Sequence, residues 1–143
     1  MRRVPTVFTR IIDGELPGTF VWRDPECVAF LSINPIQPGH TLVVPRAEVD
    51  HWLDIDTALA AHLMTVSQVI GKGIDRAFSP PRVGLLVAGF EVPHVHLHVL
   101  PITGEQDLHL DRSARSVDPD DLATNGERLR AALRDLGADG VSD

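Results

Sequence analysis

His94-Val95-His96-Leu97-His98-Val99-Leu100 alternates polar and apolar residues with a period of two, the period of a β-strand. A strand over His94–Leu100 turns all three imidazoles to one face of a sheet, while Val95, Leu97 and Val99 pack on the other. Three chemistries compete for such a row. A neutral imidazole can attack phosphorus while its neighbours donate to the phosphate oxygens. Three histidines can ligate zinc. The rings can also simply occupy a half-exposed strand face.

Around this strand the chain reads as short elements. Thr6 to Asp13 is a short helix stopped by Gly14. Thr19–Arg23 and Cys27–Ser32 are strands flanking Asp24-Pro25-Glu26, a hairpin turn. A Pro/Gly loop, Asn34–Gly39, leads into a strand over His40–Pro45. Leu59, Leu63, Val66 and Ile70 recur at helical spacing behind an N-cap at Asp54 or Asp56, marking one long helix whose end Gly71 and Gly73 weaken. Val83–Ala88 is a further strand. Asp118-Pro119 opens a C-terminal helix carrying Leu122, Leu129, Leu133 and Leu136, closed by Gly137. Five strands joined largely by hairpin-sized links predict an α+β domain with a five-stranded antiparallel sheet, one long helix, a short N-terminal helix and a C-terminal helix.

The chain has 143 residues and a net charge of −7. Residues 1–103 hold 10 acids and 8 bases, and residues 104–143 hold 10 acids and 5 bases. This argues against a nucleic-acid partner, whose phosphates require clustered cations. The organisation expected is a domain over 1–103 with an acidic extension over 104–143, part of the same unit. No segment approaches the ~18 apolar residues of a membrane span, and since no apolar run follows Met1-Arg2-Arg3 no leader is expected. The lone cysteine, Cys27, excludes an intrachain disulfide and fits a cytoplasmic setting. His51, His62 and His109 read as surface or helix-face residues, and Trp22 and Trp52 as packing or interface aromatics.

The chain resembles the histidine triad (HIT) superfamily. Besides the histidine strand, the similarity is carried in order by Val7–Pro17, Val28–Pro35 and Pro38–Arg46, together covering about residues 5–101. The resemblance implies a nucleotide-binding hydrolase or transferase acting on nucleoside-phosphate-X substrates through a nucleotidyl-histidine intermediate. It makes His96 the nucleophile, gives His98 to the phosphate or leaving group, and leaves His94 and His40 to orient the cluster. A purine would lie among Phe8, Ile11, Leu16, Phe30 and Leu42, with Ser32 at the ribose and Glu91 near the phosphate. The partner implied is a second copy of the chain. No cofactor or metal is required: the positions where many relatives bind structural zinc are Thr6, Thr9, Glu48 and His94, of which only one is a good zinc ligand. The loop before the histidines also lacks the family's Asn and Gln, with Phe90 standing at the Gln position.

Overall fold

The computed structural model describes residues 4–143; Met1–Arg3, where the sequence reading expects no leader, lie outside the described residues. Helix α1 (Val7–Ile12) starts where the Thr6 hydroxyl accepts the Thr9 N–H and ends before Gly14, which adopts φ +84°, a conformation that costs glycine little. Strands β1 (Phe20–Arg23), β2 (Cys27–Leu31), β3 (Thr41–Pro45), β4 (Arg82–Leu86) and β5 (Leu97–Ile102) form one sheet in the order β1-β2-β3-β5-β4. Every neighbouring pair is antiparallel. The fold is therefore α+β, a five-stranded antiparallel sheet with three α-helices. None of its helices is long and apolar enough to cross a membrane.

The two faces of the sheet have different covers. On one, α2 (Thr57–Phe78) and α3 (Pro119–Asp135) bury Leu63, Val66, Ile70, Leu129 and Leu133 against Val43, Leu97 and Val99. On the other, α1 seats Phe8 over Val28, Phe30, Leu42 and Val44. The site lies on this thinner side.

Several boundaries differ from those the sequence predicts. The ladder of β5 begins at Leu97, not His94. Val92-Pro93 turns the chain first, the His94 N–H donating to the Val92 carbonyl at 2.8 Å and the Val95 N–H to Val49 at 2.8 Å. His94 and His96 are thus held by loops, and only His98 sits on the ladder, opposite Leu42 and Leu86. The predicted alternation survives in the packing, since Val95, Leu97 and Val99 enter the larger core. Helix α2 runs through Gly71 and Gly73 to Phe78 and stops at Ser79, φ 49°. Gly73 is there for contact: a Cβ on it would lie 2.6 Å from Leu133 Cδ2 and 3.0 Å from Leu129 Cδ1. Asp56 occupies the N-cap without a side-chain hydrogen bond, and Asp54 falls in a separate 3-10 turn, Trp52–Asp54. Strand β4 covers Arg82–Leu86 rather than reaching Ala88.

The C-terminal quarter folds onto the rest. Asp118 caps α3 through the Asp120 N–H. Leu136, expected on the packed stripe, is largely exposed, and Gly126 and Ala132 complete the contact instead. Beyond α3 the chain returns to the sheet, where Val141 bridges Trp22 and the Arg23 N–H donates to Gly140. That covers the outer edge of β1. Leu133 joins α2, α3 and the sheet at zero exposure, so Leu133→Ala should cost about 2–5 kcal/mol of stability, read as a lower urea midpoint. A change under about 0.5 kcal/mol would show that α3 packs loosely.

Candidate functional site

Four buried histidines, His40, His94, His96 and His98, meet above β3 and the entry to β5. Burial holds all four below the ordinary histidine pKa, to about 4 for His40 and about 3 for His98. Mutual charge repulsion with the neighbouring rings adds to the effect at His40 and His98. At His96 the His94 carbonyl and Glu91 oppose it in part, and at His94 the Pro45 carbonyl and Glu48 do. All four rings are neutral at pH 7, so each carries one N–H and one lone pair.

The neighbours fix which nitrogen is which. His40 Nδ1 accepts the Ile36 backbone N–H at 3.1 Å, so its proton sits on Nε2. That Nε2–H donates to His98 Nδ1, 2.9 Å away. The His98 proton is therefore on Nε2, a buried donor with no partner. His96 Nδ1–H donates to the His94 backbone carbonyl at 2.7 Å, leaving the lone pair on Nε2. His94 Nε2–H donates to the Pro45 carbonyl at 2.7 Å, and its Nδ1 accepts from the Thr6 hydroxyl at 2.7 Å. An unprotonated ring nitrogen of His96 thus stands beside the unengaged N–H of His98, with their ring centroids 4.9 Å apart. His94 acts on His96 through its carbonyl and not its ring.

A cavity of about 200 Å³ opens beside these rings. Phe8, Ile11, Phe30 and Leu42 line its apolar part, Ser32 and Glu91 its polar rim, and His40, His96 and His98 its inner wall. Phe8 stands edge-on to Phe30, His94 and His96. Leu16, expected here, does not line the cavity. The turn after α1 folds the Leu16 N–H back onto the Arg10 carbonyl, and Pro17 and Gly18 form the wall in its place. Leu110 and Ser113 also line it. They lie in a polar stretch without periodicity, and only contacts across the fold reveal them: the Ala114 N–H donates to Pro35, and Asn34 Nδ2 donates to the Arg115 carbonyl.

Of the remaining histidines, His51 caps the 3-10 turn through Leu53, and His109 is exposed. His62 pairs with Asp24 at 2.8 Å. Asp24, His62 and Cys27 could in principle hold a metal, yet Asp24 Oδ2 already accepts from Trp22 Nε1, His62 Nε2 and the Cys27 thiol. Burial works against the Asp24 carboxylate, but these hydrogen bonds and two backbone N–H groups bring its pKa to about 2. Burial and the neighbouring carboxylate raise the Cys27 thiol well above its ordinary range. The group is a tie between hairpin and helix.

The match to a family model described as the HIT domain, over residues 13–105, decides the assignment. The chain belongs to the HIT family. An "Uncharacterized HIT-like protein" of Mycobacterium tuberculosis is 33% identical over 136 residues, spanning 91% of this chain and 94% of its own. A hypothetical histidine triad nucleotide-binding protein of Sulfolobus tokodaii superposes with a TM-score of 0.80 at 28% identity, covering 90% of this chain and 92% of its own. A zinc-bound histidine triad protein of Mycobacterium smegmatis gives 0.77 at 28% identity, covering 92% and 95%.

A zinc site does not fit this member of the HIT family. Thr6, Thr9, Glu48 and His94 do converge, but as a closed hydrogen-bond set. Glu48 accepts the Thr6 N–H at 2.8 Å and the Thr9 side chain, and both ring nitrogens of His94 are engaged. Two hydroxyls, one carboxylate and a committed imidazole make a poor tetrahedral set for zinc.

The neutral histidines set a pH dependence. Between pH about 6.5 and the lower native values, the unfolded chain binds protons that the native chain excludes, so stability rises with pH across this window. It is fully present above about 6.5 and lost as pH falls toward the native pKa values. Thermal midpoints should drop from about pH 7 to about pH 5, before the carboxylates titrate. A flat profile would contradict the neutral cluster.

Proposed function

We propose that this HIT protein is a nucleotide hydrolase or transferase that cleaves nucleoside-phosphate-X substrates, phosphoramidates, dinucleoside polyphosphates or nucleotidyl esters, through a nucleotidyl-His96 intermediate. The observation that carries the reading is the His96 proton pinned on Nδ1 by the His94 carbonyl at 2.7 Å, which aims the Nε2 lone pair. A purine fits the apolar cavity of Phe8, Ile11, Phe30 and Leu42, with Ser32 at the ribose. His96 Nε2 attacks the α-phosphorus and the P–X bond breaks, its electron pair going to X, which takes a proton from solvent. The His98 Nε2–H meets the phosphate oxygen charge that grows in the transition state, and His40 keeps that proton in place. Water then attacks phosphorus, the P–Nε2 bond breaks, and a proton returns to solvent. The chemistry draws on no cofactor.

Leu110 and Ser113 at the cavity support reading 104–143 as part of the same functional unit. A second reading, a nucleotide-binding regulatory protein with little turnover, draws support from Phe90, which is 98% exposed where the family places a donor. Intact mass after mixing with adenosine 5′-phosphoramidate separates the two. The expected result is an adenylyl adduct that His96→Ala abolishes, with turnover about 10²-fold slower in His98→Ala. Neither adduct nor turnover would select the binding protein.

The proposed partner is a second copy. Among the described residues β4 pairs only with β5, while residues 140–142 cover β1 at the other edge. Beside β4 lies a groove lined by Met64, Val83, Leu85 and Val99, with Met64 and Leu85 54% and 40% exposed. Joining β4 to its copy would pair this edge and cover those side chains. Leu85→Glu should shift sedimentation from dimer to monomer, and a wild-type chain that sediments as a monomer would rule the dimer out.

A further inference from the structure

His96 stands between two cavities and, among the described residues, is the only one lining both. The first is the apolar pocket with Phe8 and Phe30. The second, about 180 Å³, is formed where the loop after β3 meets the loop after β4, and Asp50, His51, Trp52, Gly89 and Phe90 line it with His96. Its walls are fixed by local structure. The Val95 N–H holds Val49 at 2.8 Å, and His51 Nδ1 accepts the Leu53 N–H to set the turn that carries Trp52. Gly89 adopts φ +94°, and its hypothetical Cβ would lie 4.0 Å from the Asp50 carbonyl oxygen.

Two features of this second cavity point to a ligand. Trp52 is 52% exposed and Phe90 98% exposed, so two large aromatic side chains sit in water beside the nucleophile without contributing to the core. The charge is also one-sided. Among the described residues neither cavity is lined by a lysine or arginine; the first has Glu91 and the second has Asp50. A leaving group bearing further phosphates would meet the Asp50 carboxylate and, among the described lining residues, no lysine or arginine. A group carrying an ammonium on an apolar stem would meet the reverse: a carboxylate for the charge, and aromatic faces that attract cations and cover methylenes.

We infer that the cavity of Asp50, Trp52 and Phe90 is a leaving-group subsite, taking the amine of a nucleoside 5′-phosphoramidate whose apolar stem carries a second, cationic amine. The inference rests on nucleotidyl transfer through His96. Substrates of the type nucleoside-phosphate-X have two arms joined at phosphorus, and the nucleoside arm enters the first cavity while X enters the second. The P–N bond to the stem breaks with its electron pair kept by the departing nitrogen, which is protonated from water, and the amine leaves through this open side.

The test compares kcat/KM for adenosine 5′-phosphoramidates bearing N-hexyl, N-(6-aminohexyl) and N-(5-carboxypentyl) groups, with diadenosine triphosphate as the polyphosphate arm, and adduct formation on His96 followed by mass. The aminohexyl compound should exceed the carboxypentyl compound by about tenfold or more at low salt, with the triphosphate poorest. Asp50→Asn should bring the aminohexyl-to-hexyl ratio toward one. Trp52→Ala and Phe90→Ala should lower rates on the hexyl-stem compounds relative to the unsubstituted phosphoramidate. Because the wild-type charge series decides the outcome by itself, a variant that fails to fold does not rescue the idea. Equal rates across the series, or a preferred triphosphate, with the His96 adduct still forming, overturn the subsite and leave nucleotidyl transfer standing. No adduct with any substrate overturns both.

Discussion

The site depends on one constraint: the Ile36 backbone N–H can only donate. Held 3.1 Å from His40 Nδ1, it forces the His40 proton onto the far nitrogen. From there the constraint passes to His98, whose remaining N–H is left without a partner. At the other end of the row, two backbone carbonyls, of Pro45 and His94, can only accept, and they fix the protons of His94 and His96 in turn. Groups without protonation freedom of their own thus set the proton positions of four titratable rings. Burial supports this by keeping the rings neutral, since a second proton on any of them would reverse a donor or acceptor role.

Much of the fold is legible in the sequence, for identifiable reasons. Alternation over residues 94–100 placed Val95, Leu97 and Val99 in the core, because the larger sheet face is buried wherever the period of two holds. The long helix was readable from Leu59, Leu63, Val66 and Ile70, since its packed face repeats at helical spacing. The helix end was misjudged. Glycine weakens a helix by propensity, but at Gly73 the contact with Leu129 and Leu133 outweighs it. The start of β5 was misjudged because strand pairing depends on a partner that the local sequence does not show.

The site was legible where it is local and obscure where it is not. The His94, His96 and His98 spacing could be read directly, and the positions Thr6, Thr9 and Glu48 could be grouped through the family resemblance. Leu16 was misplaced because apolarity alone does not say which way a turn points. Leu110 and Ser113 had no local signal, since contacts more than seventy residues apart in sequence bring them to the cavity. Trp52, which the sequence reads as a packing or interface aromatic, is half exposed and lines a cavity with His96, a neighbour that local sequence does not show.

The strap formed by residues 110–115 has a consequence for synthesis. One wall of the apolar cavity is made by Phe8 and Phe30, and another by Leu110 and Ser113, anchored through Pro35 and Asn34. A chain emerging from the ribosome exposes Phe8 and Phe30 well before the second wall is made. Until residues 110–115 emerge and dock, the apolar floor lies open to water. The cavity therefore gains its last wall only when residues 110–115 have docked on Pro35 and Asn34, late in vectorial synthesis.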